Sequence, residues 1–504
     1  MSRRSRAAAV AAAITLVTAV TAAAAAPAVS KEKFTVDETT VAEVEEALAD
    51  GDVSCHALVR EYLRRIAAYE DRGPALNTLI TVAPDAFQQA VALDRAYARN
   101  RGPVGPLHCI PVVLKDNVDT TDMPTTAGSR TLEGSVPAVD ATITARLREA
   151  GAIILAKGNM DEWAHGGAGG YSSVNGQTKN PYNLGSPSGS SGGPAAAVAA
   201  NFAVLGLGTD TLGSIRGPVS TNGLAGVKPT LGLVPGTGVV PFALTFDVAG
   251  PMTRTVTDAA RMLDVIAGYD PADPRTAASI GQVPDSYTDG LTTDALDGAR
   301  IGVLRTYFNA DLEPVIDVMG DLGAEVVDDL RATPPMQNLN GQYYQLISET
   351  EFKTQLGEYL QAYRPDAAVQ SHADVLAASS QPGFGIADAV LVRLQREATR
   401  GTMLDPDYLA AAAYAPAAMR AEIDAMLEAN DLDAILMSSG GSALQSFSGY
   451  PGVLVPAGVD EDGDPFSLQL LGPAFSEPEL LGFAYAYEQA THHRPLPPYA
   501  PPLR

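Results

Sequence analysis

The sequence predicts an α/β fold, a largely parallel or mixed sheet covered on both faces by helices. Two observations carry that expectation. Short apolar runs alternate with helical segments along most of the chain, the rhythm of strands whose two faces are both buried. The stretch Ser186 to Gly217, SPSGSSGGPAAAVAANFAVLGLGTDTLGSIRG, sets two serine-bearing glycine turns around one apolar helix and one apolar strand. A flexible linker would not carry that apolar centre.

In chain order, Val36 to Asp50 and Ser54 to Tyr69 read as amphipathic helices. Leu58, Val59, Tyr62, Leu63 and Ile66 form one stripe on the second, and Ser54 stands at its N-cap position. Leu79 to Val82 reads as a strand and Ala86 to Arg99 as a helix, followed by PLHCIPVVLKDN from Pro106 to Asn117. Asp140 to Ala150 and Ile153 to Lys157 give a helix and a strand. Pro194 suits a first helical turn, Ala195 to Asn201 continues that helix, and Ala203 to Leu207 forms a buried strand. A helix opens at Thr255 or Thr257 and runs to Gly268. Asp270 to Leu296 is polar and reads as a surface connection. A strand at 299–304 resumes the rhythm, and Phe352 to Asn430 is mostly helical. Strands at Ala434 to Met437, Gly452 to Val455 and Phe466 to Leu471 precede a helix from Glu477 to Thr491.

Composition narrows the setting. With 46% hydrophobic and 18% charged residues the chain is ordinary globular protein, able to bury a large core. Residues 1–30 differ: Arg3, Arg4 and Arg6 precede an alanine-rich apolar run to Ala26 and then small residues, the pattern of a signal peptide cut between Ala26 and Lys31. That leaves 31–504 as a single domain in a secreted or extracytoplasmic protein. Arg3-Arg4 leaves general and twin-arginine export both open. No other apolar stretch is long enough for a membrane span. The formal net charge of −25 argues against nucleic acid and anionic membrane surfaces as partners. Two cysteines, Cys55 and Cys109, allow one disulfide after export, but their spacing leaves paired and free states open. The six histidines are scattered with no CxxC or HExxH pattern, so no metal is expected.

Lys115 stands out, because only seven lysines accompany 27 arginines and it directly follows Val112-Val113-Leu114. A lysine ending a strand is usually a solvated charge. Kept in an apolar site, it loses proton affinity by up to ~3–5 units and becomes a neutral base. The irregular segment of Trp163 and HGGAGGYSS (165–173) lies between candidate elements, with Trp163 suited equally to core packing and to ligand contact. Ser191 offers a competing site, since Gly189 to Gly193 satisfies the G-x-S-x-G nucleophile elbow. That reading needs an acid and a late histidine such as His492, and it leaves Lys115 and the second glycine turn without a role.

PLHCIPVVLKDN, SGSSGGPAAAVAA, GTDTLGSIRGP, GVKPT and GPMTR, in this order, resemble the amidase signature family of serine hydrolases, over most of residues 37–495. The resemblance implies an α/β/α sandwich with a large mixed β-sheet covered by helices, and a Ser-Ser-Lys triad. By it, Ser214 is the nucleophile, Ser190 the bridging serine and Lys115 the base. The N–H groups of Thr211, Leu212, Gly213 and Ser214 hold the oxyanion, Asp210 and Arg216 support the turn, and Ala164 and His165 border the substrate. No metal or cofactor is implied, and the partner is a small-molecule or peptide amide. Oligomeric state is not indicated. The chain departs from the family pattern at Leu212, Ser188 and Cys109, where glycine is common, and at Pro194, where a polar residue is frequent. None of these removes a catalytic atom. The amidase component of a transamidation complex and a degenerate amidase-fold binding protein share the same signature. The signal peptide counts against the first and the complete triad against the second.

Overall fold

The structure is a computed structural model and describes residues 34–438 and 441–503. The expected signal peptide at 1–30 lies outside the described residues. In chain order the strands are β1 (Leu79–Val82), β2 (Pro111–Lys115), β3 (Ile153–Gly158), β4 (Tyr171–Ser172), β5 (Gly176–Gln177), β6 (Leu205–Asp210), β7 (Ala225–Lys228), β8 (Val248–Thr253), β9 (Arg300–Leu304), β10 (Glu325–Leu330), β11 (Ala434–Met437), β12 (Gly452–Val459) and β13 (Pro465–Leu471). Eleven of them form one sheet in the order β1-β3-β2-β6-β8-β7-β12-β13-β11-β9-β10, while β4 and β5 make a separate small ribbon.

The sheet is mixed. β3, β2 and β6 are mutually parallel, as are β11, β9 and β10 at the far side. The strands between these two sets pair antiparallel. Because β2, β3 and β6 run the same way, Lys115, Gly158 and Asp210 end their strands along one edge, where ligands gather in sheets of this kind. Helices Gly192–Ala199, Arg216–Thr221, Val256–Ile266 and Glu477–Thr491 pack on the middle strands. Every residue of Gly192–Ala199 is buried, and its small side chains let it lie close to the sheet. A Cβ on Gly193 would meet the backbone of Asn159 and Thr78, so that approach requires glycine.

A second layer is helical. Pro334–Tyr363, Asp388–Ala398 and Pro406–Asn430 share an apolar core that includes Ile347, Phe352, Met419 and Ile423. Trp163 is buried in this core, edge-on to Phe352 at 6.3 Å between ring centroids, so core packing is its role. Cys55 and Cys109 are joined in a disulfide that ties the first turn of helix Cys55–Tyr69 to the segment entering β2.

Several elements differ from the sequence expectation. The first helix is Val41–Ala49, beginning after Thr40, whose hydroxyl and Glu43 form a reciprocal capping box. The long helix begins at Pro334, well before Phe352. Strands β7 and β8 lie in segments read only as motifs, since Gly226, Gly250 and Pro251 are breaker signals. β10 was not anticipated because it is an edge strand whose acidic Asp328 and Asp329 are exposed, so it carries no apolar run.

Candidate active site

The site assembles where the ends of β2 and β6 meet the turn before helix Gly192–Ala199. β2 places Lys115 in parallel register opposite Gly158, completely buried. Lys115 Nζ lies 2.8 Å from Ser190 Oγ, 2.8 Å from Thr209 Oγ1 and 3.4 Å from the Thr209 carbonyl. Asn117 Nδ2 also donates to Thr209 Oγ1, at 3.1 Å. The ammonium therefore meets hydroxyls and a carbonyl, with no carboxylate in its hydrogen-bonding shell among the described residues. Burial pulls its pKa from the ordinary 10.5 down to about 7, only partly opposed by the more distant charges of Asp161, Asp210 and Asp247.

Ser190 follows Gly189 through a cis peptide bond and is fully buried. A Cβ on Gly189 would strike the Asp161 carboxylate, so glycine is needed there as well. Asp161 accepts the N–H groups of Ala168, at 3.1 Å, and of Gly170, and its own N–H donates to the Ser190 carbonyl at 3.1 Å. One carboxylate thereby fixes the glycine-rich 166–170 segment against the serine turn. The two serine turns are joined directly, because the Ser191 N–H donates to the Ser214 carbonyl at 3.3 Å. Ser214 is nearly buried, at 8% exposure, and leaves an edge open to solvent. The Ser191 hydroxyl donates to the Thr209 carbonyl at 3.0 Å and accepts the Thr209 N–H at 3.2 Å. That hydroxyl closes the joint to β6, and the geometry gives the elbow reading no free nucleophile.

The turn carrying Ser214 is held by Asp210. Its carboxylate accepts the N–H groups of Gly213 at 2.8 Å and Ile215 at 2.9 Å, and pairs with the Arg216 guanidinium at 2.8 Å. Burial pushes this carboxyl up, but the Arg216 charge and these bonds outweigh it and hold the pKa well below the usual range. Arg216 is in turn fixed by the Ser442 carbonyl and the Ser446 hydroxyl, both at 2.8 Å, and by Gln445 Oε1 at 2.5 Å. Asp210 and Arg216 therefore meet as a buried ion pair. Gly213 adopts φ +106°, a conformation that suits glycine.

One sequence expectation needs correction. The Gly213 N–H is occupied by Asp210, so among Thr211, Leu212, Gly213 and Ser214 that amide is not free to meet an oxyanion. The His165 imidazole is buried, with Nε2 2.9 Å from the Glu397 carboxylate and its ring against Phe242 and Phe352. Glu397 also holds His372 at 3.0 Å. Ala164 does line a cavity, together with Asn117, Thr209, Thr211, Phe242 and Asp247.

Thr209, Asp161, Asp247 and Gln445 contact the candidate site residues or their turns and were missed by sequence reasoning. Only Thr209 carried a local signal, since it precedes Asp210 on a strand and alternation turns the two to opposite faces.

The family model described as Amidase matches residues 57–481. A probable amidase of Arabidopsis thaliana is 38% identical over 485 residues, covering 92% of each chain. A glutamyl-tRNA(Gln) amidotransferase subunit from Gloeobacter violaceus is 34% identical, over 92% of this chain and 99% of its own. Among solved structures, the native peptide amidase of Stenotrophomonas maltophilia superposes with a TM-score of 0.85 at 37% identity, covering 92% of this chain and 99% of that one. An amidase family protein of Bacillus anthracis gives 0.85 at 33% identity, covering 92% of both chains. With matches of this extent and the eleven-stranded mixed sheet, the chain belongs to the amidase signature family of amide-hydrolysing enzymes.

Proposed function

We propose that the chain is an exported amidase that cleaves a carboxylic amide C–N bond through an acyl-enzyme on Ser214. The observation that carries this reading is the buried Lys115 Nζ, 2.8 Å from Ser190 Oγ and without a carboxylate partner in its hydrogen-bonding shell. A neutral amine there accepts the Ser190 proton while Ser190 takes that of Ser214, and the Ser214 oxygen bonds to the amide carbon. The carbonyl oxygen becomes an oxyanion that the N–H groups of Thr211, Leu212 and Ser214 stabilise, each such donor contributing about 3–4 kcal/mol. Collapse breaks the C–N bond as Ser190 passes its proton to the departing nitrogen and regains one from Lys115. Water then attacks the ester, delivering its proton along the same route, and Ser214 leaves with it.

The peptide amidase neighbour makes peptide amides the first substrates to test. The amidotransferase relatives favour a second reading, release of ammonia for a transamidation complex. The export pattern in residues 1–30 weighs against it, because tRNA is intracellular. Ammonia or amine release is measured on a panel of peptide amides, aryl amides and free glutamine, with Ser214→Ala, Ser190→Ala, Lys115→Ala and Ser191→Ala variants. Loss in the first three supports the triad. Activity that survives Ser214→Ala but not Ser191→Ala contradicts it. For export, N-terminal sequencing of protein recovered outside the cytoplasm is expected to begin between Pro27 and Lys31, and an intact Met1 terminus there contradicts the signal peptide.

A further inference from the structure

The turn that bears Ser214 is gripped by two carboxylates, and among the described residues only one of them is ion-paired with a guanidinium. Asp210 is paired with Arg216. Asp247, fully buried, accepts the Thr211 hydroxyl at 2.6 Å on one oxygen and the N–H groups of Phe242 and Ala243 at 2.7 and 2.8 Å on the other. All three neighbours donate, so the arrangement fits the ionised carboxylate.

The loop that carries Asp247 is itself anchored. Leu244 N–H donates to Gln355 Oε1 and Thr245 N–H to Glu351 Oε2, each at 3.0 Å, from the long helix Pro334–Tyr363. Arg275 donates to the carbonyls of Leu244 and Asp247 at 3.1 and 3.3 Å. The helical layer therefore holds the loop, the loop aims the carboxylate, and the carboxylate holds Thr211, the first residue of the turn.

We propose that Asp247 is a positioning residue for the oxyanion turn, fixing the Thr211 side chain so that the Thr211–Leu212 backbone presents its N–H groups to the reacting carbonyl. The inference rests on the Ser214 reading above. Asp210 sets the later part of the turn through Gly213 and Ile215. Asp247 sets the earlier part, which a side chain at Leu212 would otherwise leave free to shift. Loss of about an ångström of alignment costs on the order of 100-fold in rate.

The test is steady-state kinetics of Asp247→Asn, Thr211→Val, Thr211→Ser and the Asp247→Asn/Thr211→Val double variant on one amide, with thermal unfolding alongside. The first two are expected to lose about 10- to 100-fold in kcat with little change in KM. The double variant falls no further than the worse single, as two residues acting as one unit should. Thr211→Ser, which keeps the hydroxyl, recovers most of what Thr211→Val loses. Asp247→Asn also moves the lower limb of the pH profile to lower pH, because a negative charge that supports protonated Lys115 alongside Asp161 and Asp210 is gone. Thr211→Val leaves that limb in place. Additive losses, or a fall in Tm with kcat unchanged, overturn the proposal. Labelling of Ser214 by a sulfonyl fluoride, read by intact mass in the unaltered protein, checks the Ser214 reading separately, so a failure of either is recognised by itself.

Discussion

The end of β2 and the adjoining stretch of β3 hold two lysines that are equally buried and chemically opposite. Lys115 and Lys157 sit on paired strands, with Leu114 opposite Lys157 in the register. Lys157 Nζ lies 3.2 Å from the Asp116 carboxylate and donates to Thr125 Oγ1 at 2.7 Å. Lys115 finds only hydroxyls and a carbonyl. Burial lowers the proton affinity of both. Lys157 has an adjacent counter-charge, and Lys115 has the Ser190 hydroxyl at 2.8 Å instead. Lys228, equally buried against the Gln445 and Tyr450 carbonyls, also has its pKa lowered to about 7, which shows that it is this hydroxyl, more than a missing counter-charge, that sets Lys115 apart. Burial alone does not make catalysis.

The largest expected effect separates the two by activity. Lys115→Met removes the proposed base, and kcat/KM is expected to fall by at least about 10³-fold, as for triad members elsewhere. Its stability should move the other way. The folded-state pKa of about 7 lies below the unfolded value near 10.5, so this residue destabilises the fold fully below about pH 7. The penalty fades as pH climbs to about 10.5. Lys115→Met is therefore expected to raise Tm at pH 7, and less so at pH 10. A Tm unchanged at both pH values would mean that Lys115 is not held neutral.

Lys157→Met should break the comparison from the other side. It leaves Asp116 buried and uncompensated, a loss of about 3–5 kcal/mol by denaturant unfolding. Lys157→Met with Asp116→Leu recovers part of that, and no recovery would show that the pair is not the cause. The smallest effect concerns what positions the end of β2. Cys55→Ser/Cys109→Ser opens a loop whose closure stabilises by about 2–4 kcal/mol, with kcat expected to stay within about threefold. A large kcat loss in protein that remains folded would show that the disulfide, more than the β2–β3 register, sets the place of Lys115.

The residues of the proposed triad are legible as candidates because each sits in a local pattern. Lys115 closes an apolar run, and Ser190 and Ser214 sit in glycine turns whose close backbone approaches leave little choice of residue. What surrounds them was not legible, because those partners come from distant segments. Asp247 reaches Thr211 from the loop after Phe242, and Gln445 reaches Arg216 from the helix Ser442–Ser448. His165, which only the family resemblance singled out, likewise finds its partner in a distant segment, the Glu397 carboxylate. Strands β7, β8 and β10 were hidden by glycine, proline or edge exposure, although the alternation around them was enough to fix the α/β class.

The central claim is that Lys115 is a neutral base acting on Ser214 through Ser190. Its most direct test is the rate at which a sulfonyl fluoride labels the protein between pH 5 and 10, with the modified residue located by mass spectrometry. The account predicts labelling of Ser214 that rises through about pH 7 and disappears in Lys115→Met. Labelling of Ser191, or a rate that does not rise until near pH 10, would contradict it.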